Sequence, residues 1–171
     1  MFVYCNGKIT VLGPARCGST SLYKYFNVEY NSLDSKTIDH WKWYGEFGMT
    51  KVVILRNPYD RVASALNIVN YAEKLDVDPT EFFAVHSCPY MWQLRELEFQ
   101  IIDFYELGKY LGVSEDTLVT NTPSNSEFKY IPNTEYSAQQ LKQEYIDYVT
   151  ILNTRHKMTV DQWKYITQWK Q

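Results

Sequence analysis

A run of six residues constrains the fold of this chain more than any other feature of the sequence. Lys51-Val-Val-Ile-Leu-Arg56 is apolar and rich in β-branched side chains between two charged ends. An unbroken apolar run of this length is typical of a parallel strand that is covered on both faces. Residues 9–12, which end at Gly13-Pro14, predict a second buried strand, and residues 99–104 predict a third.

Helical patterns follow these strands along the chain. Residues 19–26 and 59–74 predict two helices, and a short helix is expected to run to about residue 111. Asp78-Pro79-Thr80-Glu81 carries a capping Asp, a Pro at the first helical position and a Glu three residues after the cap, which is a helix-start signature. Residues 27–50 and 112–136 lack a clean period and are interpreted mainly as connections.

Two more helices are predicted in the last third of the chain. Ser137 is expected to cap the first of them, and an apolar stripe marks its core face: Leu141, Tyr145, Tyr148, Val149 and Leu152. Thr159 and Gln162 predict a capped last helix, with Trp163, Ile166 and Trp169 facing the core. Strands that alternate with helices predict a single α/β domain over residues 1–171, with a central parallel sheet flanked by helices.

The composition excludes several classes of protein. A net charge of −3 gives no general basic surface for nucleic acid, and no apolar run is long enough to cross a bilayer. The first eight residues lack the apolar segment that a signal peptide requires. The three cysteines do not have the spacing of metal ligands. We therefore expect a cytoplasmic protein whose anionic ligands, if any, are held by a local group of cations; the oligomeric state stays open.

The first candidate binding motif follows the strand at residues 9–12. Gly13-Pro-Ala-Arg-Cys-Gly-Ser-Thr20 has the strand–loop–helix context and the glycine spacing of a phosphate-binding P-loop. Its glycines allow the backbone to approach an anion closely, and the helix that follows offers N–H groups at its positive end. The P-loop lysine of a nucleotide kinase is absent, and the cation of this loop is Arg16.

The second motif begins where the strand at residues 51–56 ends. In P-loop nucleotide hydrolases such a strand typically ends in an Asp that supports Mg²⁺, whereas this one ends in Arg56. A guanidinium suits a phosphate because its planar fork matches the phosphate oxygens. Arg61 and Ser64 follow three residues apart, on one face of the predicted helix; pairing of Arg61 with Asp60 or Glu73 on a surface helix is the structural alternative.

The two motifs together resemble those of sulfotransferases that use 3′-phosphoadenosine 5′-phosphosulfate (PAPS). The segment from Pro14 to Leu22 is similar to their 5′-phosphosulfate-binding loop, and Arg56-Asn-Pro-Tyr-Asp-Arg-Val-Ala-Ser64 is similar to their 3′-phosphate-binding motif, in the same order and at a similar separation. Weaker similarity to carbohydrate sulfotransferases continues through residues 101–107 and 136–137.

The resemblance implies a P-loop-containing nucleotide-binding fold and PAPS as cofactor, with no metal ligand. Arg16 would neutralise the 5′-phosphate as its bridge to sulfur breaks, and Arg56 and Ser64 would hold the 3′-phosphate, with Arg61 as a third group. The loop residues implied to contact the cofactor beside Arg16 are Cys17, Gly18, Ser19, Thr20 and Ser21. The acceptor would be a hydroxyl compound, a carbohydrate or a small alcohol.

The general base is less constrained than the cofactor site. His40 lies between the two motifs, where several carbohydrate sulfotransferases place their base, and imidazole titrates in the required range. His86 and Glu46 are the reserves. Two other functions remain open: a P-loop kinase in which Asp103 serves Mg²⁺, and a non-catalytic module that binds a nucleotide or a glycan.

Overall fold

The computed structural model describes residues 2–5, 9–26, 50–69, 78, 94, 98–114 and 138–168. Within them a four-stranded sheet has its strands in sequence order: β1 (Phe2–Cys5), β2 (Ile9–Gly13), β3 (Thr50–Leu55) and β4 (Gln100–Asp103). β2, β3 and β4 are parallel, whereas β1 pairs antiparallel with β2. The α/β class and the three predicted strands are therefore confirmed, and β1 is an addition that the sequence did not reveal.

The helices lie close to the predicted positions. α1 (Ser19–Phe26) follows β2, α2 (Pro58–Val69) follows β3, and a 3₁₀ turn (Phe104–Glu106) followed by α3 (Leu107–Leu111) comes after β4. α4 (Ala138–Thr154) and α5 (Val160–Thr167) complete the described part. Thr159 and Gln162 form the predicted reciprocal cap of α5. Predictions for residues 27–49, 70–74, 79–81 and 115–137, and for Trp169, lie outside the described residues.

The core is built on the two central strands. All five residues of β2 and the last four of β3 are buried, as expected for strands covered on both faces. Trp163 of α5 is fully buried and meets the ring of Phe26 edge to face at 6.4 Å, while Phe26 also stacks on Tyr4 of β1. These contacts fix α1 and α5 against the sheet. No helix in the described part of the chain has the length and apolar character needed to cross a membrane.

The buried face of α4 differs from the predicted stripe. Tyr148 is buried as predicted, but Tyr145 is exposed, and Glu144 takes a core position. The reason is an ion pair between Glu144 and the fully buried Arg61 of α2, with 3.5 Å between Arg61 Nη2 and Glu144 Oε1. Because a buried charge is tolerated when an opposite charge accompanies it, this pair lets a carboxylate occupy the interface between α2 and α4.

Candidate functional site

The candidate site lies at one edge of the sheet. Because β2, β3 and β4 are parallel, their carboxyl ends meet at the same edge. β2 leads there into the loop of residues 14–18, β3 leads into Arg56, and β4 leads into Phe104. In open α/β sheets, ligands bind in the crevice outside these strand ends.

The loop between β2 and α1 is sharply curled. Arg16 and Gly18 both have left-handed backbone angles, with φ values of 64° and 81°. The N–H of Cys17 donates to the carbonyl of Pro14 at 3.0 Å, and the N–H of Leu22 donates to the carbonyl of Gly18 at 2.9 Å. A non-glycine residue in the left-handed region costs about 1 kcal/mol, so the conformation of Arg16 is maintained by its surroundings.

Gly18 links this loop to the end of β4. A Cβ atom at Gly18 would lie 3.1 Å from Cε2 of Phe104 and 3.2 Å from Cδ2 of Leu107. The second glycine of the predicted phosphate loop therefore has a packing role as well as a conformational one. It allows the loop to lie directly against the residues that follow β4.

The two predicted motifs meet through their side chains. Both Nε and Nη2 of Arg16 donate to the Ser64 hydroxyl oxygen, at 3.0 and 2.9 Å. Nη1 of Arg56 donates to the carbonyl of Arg16 at 2.8 Å, and its guanidinium lies 4.4 Å from the centre of the Phe104 ring. Arg16, Arg56 and Ser64, which the sequence assigned to two separate phosphate sites, thus form one connected cluster.

The other predicted ligands differ in their accessibility. Cys17 is buried, and Ser19, Thr20 and Ser21 form the first turn of α1. These three residues therefore lie at the positive end of the helix dipole. Arg61 stands apart from the cluster because its buried side chain pairs with Glu144, so we give it a structural role.

Two carboxylates and a tyrosine border the cluster. The hydroxyl of Tyr105 donates to the Asp60 carboxylate, and burial together with this bond raises the pKa of Tyr105 to about 12. Oδ1 of Asp103 accepts from the N–H of Tyr105 at 3.1 Å. Burial is the main cause that raises the pKa of Asp103 above its ordinary value.

The sequence included Phe104 and Tyr105 only in the segment of weaker similarity at residues 101–107, and it offered Asp60 only as a partner of Arg61. The available signal was position: Phe104 and Tyr105 directly follow a buried strand, and Asp60 lies inside the second motif. The three residues proposed as general base, His40, His86 and Glu46, lie outside the described residues.

Comparison of the chain with models of protein families, with curated proteins and with solved structures finds no match. No relative therefore supplies a function for this site. Support for a function comes from the chemistry of the residues at the edge of the sheet and from the two motifs that resemble those of sulfotransferases.

Proposed function

We propose that this protein is a sulfotransferase with a P-loop-containing fold, which binds PAPS and transfers its sulfuryl group to a hydroxyl acceptor, a carbohydrate or a small alcohol. The observation that carries the proposal is the cluster of Arg16, Arg56 and Ser64 at the carboxyl edge of the sheet. Two guanidinium groups and a hydroxyl lie there together, and each comes from a motif that resembles a phosphate site of the family.

The position of Arg56 supports a phosphate ligand over a metal–nucleotide complex. It directly follows the buried strand β3, where a P-loop nucleotide hydrolase typically has the Asp that supports Mg²⁺. A guanidinium repels a metal ion and binds phosphate oxygens with two parallel N–H bonds. A nucleotide with phosphates at both ends of its ribose would use both arginines.

The donors of the cluster fit such a ligand. Nε of Arg56 is buried and has no hydrogen-bond partner among the described residues, so an anionic oxygen would satisfy a donor that is otherwise unpaired. The Ser64 hydroxyl accepts from Arg16 and keeps its own proton for donation. Arginine has no acceptor atom, so the cluster is rich in donors, as an oxyanion requires.

In the proposed reaction, bound PAPS supplies the sulfuryl group and a phosphate leaving group. The acceptor oxygen would lose its proton to a base and form the new bond to sulfur, while the sulfur–oxygen bond to the 5′-phosphate breaks and leaves its electron pair on that phosphate. Arg16 would stabilise the charge that grows there, together with the positive end of α1 at Ser19–Ser21. Because guanidinium does not release its proton in proteins, Arg16 acts by charge and hydrogen bonding and not as a general acid.

The remaining roles divide between binding and proton transfer. Arg56 and Ser64 would hold the 3′-phosphate. Arg61 is left out of the proposed ligand set, since its guanidinium is buried against Glu144. His40 stays the predicted base.

The kinase alternative is less well supported. It needs Asp103 as a support for Mg²⁺, yet that carboxylate accepts from the backbone of Tyr105 and from the Tyr148 hydroxyl. Asp103 in this way caps the 3₁₀ turn that follows β4. Burial also raises the pKa of Asp103 above its ordinary value, so its charged form costs more than that of an exposed Asp.

Thermal unfolding with and without ligand tests the proposal. We expect adenosine 3′,5′-bisphosphate, without metal, to stabilise the protein by about 2.7 kcal/mol at a concentration of about 100 Kd. For a domain of this size that corresponds to a rise in Tm of roughly 5–10 °C. ATP with Mg²⁺ should give a smaller shift. Transfer of labelled sulfate from PAPS to a panel of sugars and alcohols then separates an enzyme from a binding module.

A matched pair of arginine variants identifies the site. Arg56 stacks on Phe104, which follows the carboxyl end of β4. Arg155 stacks on Phe99, which precedes the amino end of β4, and its guanidinium lies 5.4 Å from the centre of that ring. The bisphosphate should no longer raise the Tm of Arg56→Ala, whereas it should raise the Tm of Arg155→Ala as much as that of the unchanged protein. The proposal fails if the bisphosphate gives no shift, or if both variants respond like the unchanged protein.

A further inference from the structure

Three tyrosines are exposed on elements that surround the candidate phosphate cluster. Tyr59 at the start of α2, Tyr105 in the 3₁₀ turn and Tyr145 in the middle of α4 expose 46%, 49% and 38% of their surface. Scattered exposed aromatics are ordinary, whereas a contiguous group beside a functional site indicates a binding surface.

Ring contacts and hydrogen bonds connect these tyrosines. The rings of Tyr59 and Tyr145 meet edge to face, with 5.5 Å between their centres. Tyr105 reaches the same end of α2, since its hydroxyl donates to Asp60, which follows Tyr59 in the first turn of that helix. We call Tyr59, Tyr105, Tyr145 and Asp60 the tyrosine patch.

The patch is continuous with the phosphate cluster. The ring of Tyr105 meets the ring of Phe104 edge to face at 5.4 Å, and Phe104 lies under the guanidinium of Arg56. A molecule lying on the patch would therefore have one end next to the residues proposed to hold the cofactor. An acceptor in a transfer reaction requires this arrangement, because both reactants must meet at one place.

We propose that the tyrosine patch is the acceptor site and that it selects an uncharged saccharide; this inference rests on the proposed sulfotransferase function. Tyrosine rings offer apolar faces to the C–H surfaces of sugar rings, and their hydroxyl groups lie at the polar edge of the same surface. The carboxylate of Asp60 accepts hydrogen bonds from sugar hydroxyls.

The charge of the patch opposes a sulfated or uronic acid-containing glycan. Asp60 is exposed at the patch, and its carboxylate disfavours an anionic partner by repulsion. The cations nearby are Arg16 and Arg56. Arg56 also interacts with Tyr105, but both arginines would face the phosphates of the cofactor in the proposed complex.

The open form of the patch favours a saccharide over a simple phenol. A small aromatic ligand needs a concave pocket that buries most of its surface. The three tyrosines instead lie on three different elements and keep a large part of their rings in solvent. An extended sugar chain can contact all three at once and still hydrogen-bond to water along its outer side.

Binding measured by saturation-transfer difference NMR in the presence of adenosine 3′,5′-bisphosphate tests this inference. The probes are maltohexaose, cellohexaose and chitohexaose as neutral chains, a chondroitin sulfate hexasaccharide as the charged one, and 4-nitrophenol as the aromatic alcohol. We expect at least one neutral chain to bind, and the sulfated chain to bind about tenfold more weakly or not at all. Tyr145→Ala should weaken neutral binding about tenfold.

Two further variants keep the test specific. Tyr165→Ala, which removes an exposed tyrosine of α5 outside the patch, should change affinity by less than about twofold. Asp60→Asn removes the negative charge and keeps an acceptor oxygen. It should therefore reduce the difference in affinity between the neutral and the sulfated chains. Binding of the sulfated chain or of 4-nitrophenol in preference to every neutral chain would overturn the inference, as would equal binding by Tyr145→Ala and the unchanged protein.

The change in Tm that the bisphosphate causes in the same samples distinguishes failure of the acceptor-site inference from failure of the proposed sulfotransferase function. A bisphosphate shift without saccharide binding would refute the acceptor site and leave the cofactor site standing. Saccharide binding without a bisphosphate shift would refute the sulfotransferase proposal and, with it, the acceptor role, leaving only a glycan-binding surface.

Discussion

Replacement of Gly18 by alanine separates two costs that the structure combines at one residue. The first is conformational: φ is 81°, and an alanine in the left-handed region costs about 1 kcal/mol. The second is steric, because the added methyl would lie 3.1 Å from the Phe104 ring and 3.2 Å from Leu107. Leu107 is buried and Phe104 lies against Arg56, so neither neighbour can move without disturbing the site. Overpacking of this kind costs about 1–3 kcal/mol.

Gly112 provides the matched control. Its φ is 69°, at the end of α3, but an added Cβ would have nothing within 4 Å. We expect Gly112→Ala to lower the free energy of unfolding by about 1 kcal/mol and Gly18→Ala to lower it by about 2–4 kcal/mol. Urea unfolding followed by tryptophan fluorescence measures both, with the buried Trp163 among its reporters. Equal losses in the two variants would refute the close packing of the loop against the end of β4.

Two further predictions concern buried and half-buried charges. Arg61→Met removes the cation that accompanies the buried Glu144 and should cost about 3–5 kcal/mol of unfolding free energy in urea. Arg61→Met combined with Glu144→Leu should recover most of this loss, and a double variant as unstable as the single one would contradict the ion pair. The raised pKa of Asp103 means that the folded protein holds a proton where the unfolded chain releases it, so its contribution to stability is present at low pH and is lost as the pH rises through the folded pKa. We compare the unfolding free energy of the unchanged protein with that of Asp103→Asn at constant ionic strength. The unchanged protein's advantage should fall as the pH rises above the ordinary pKa of Asp, about 3.9. An advantage that rises or stays constant would contradict the burial of this carboxyl.

Local patterns were sufficient to predict most of the described fold. An unbroken apolar run predicts the strand at residues 51–56, and Gly13 predicts the loop that follows residue 12. Thr159 and Gln162 predict the start of α5. β1 was not predicted because four residues carry too little pattern. Its stability comes from pairing with β2 and from stacking of Tyr4 on Phe26.

The contacts that define the site could not be read from the sequence. Arg16 and Ser64 are 48 positions apart, and Tyr105 and Asp60 are 45 apart, so only the fold brings each pair together. The same holds for Arg61. The sequence predicted it as a cofactor ligand, with pairing to Asp60 or Glu73 as the alternative, whereas the structure pairs it with Glu144. Periodicity alone predicted an apolar face for α4, because it carries no information about an arginine arriving from another helix.

The most direct measurement of the central proposal compares two nucleotides that differ by a single phosphate. Isothermal titration of the unchanged protein and of Arg56→Ala with adenosine 3′,5′-bisphosphate and with adenosine 5′-monophosphate isolates the contribution of the 3′-phosphate. We expect the bisphosphate to bind the unchanged protein at least about tenfold more tightly, since a charge-assisted hydrogen bond contributes about 1.5–3 kcal/mol, and we expect this preference to disappear in Arg56→Ala. Equal affinity of the unchanged protein for the two nucleotides would contradict a 3′-phosphate site at Arg56 and Ser64.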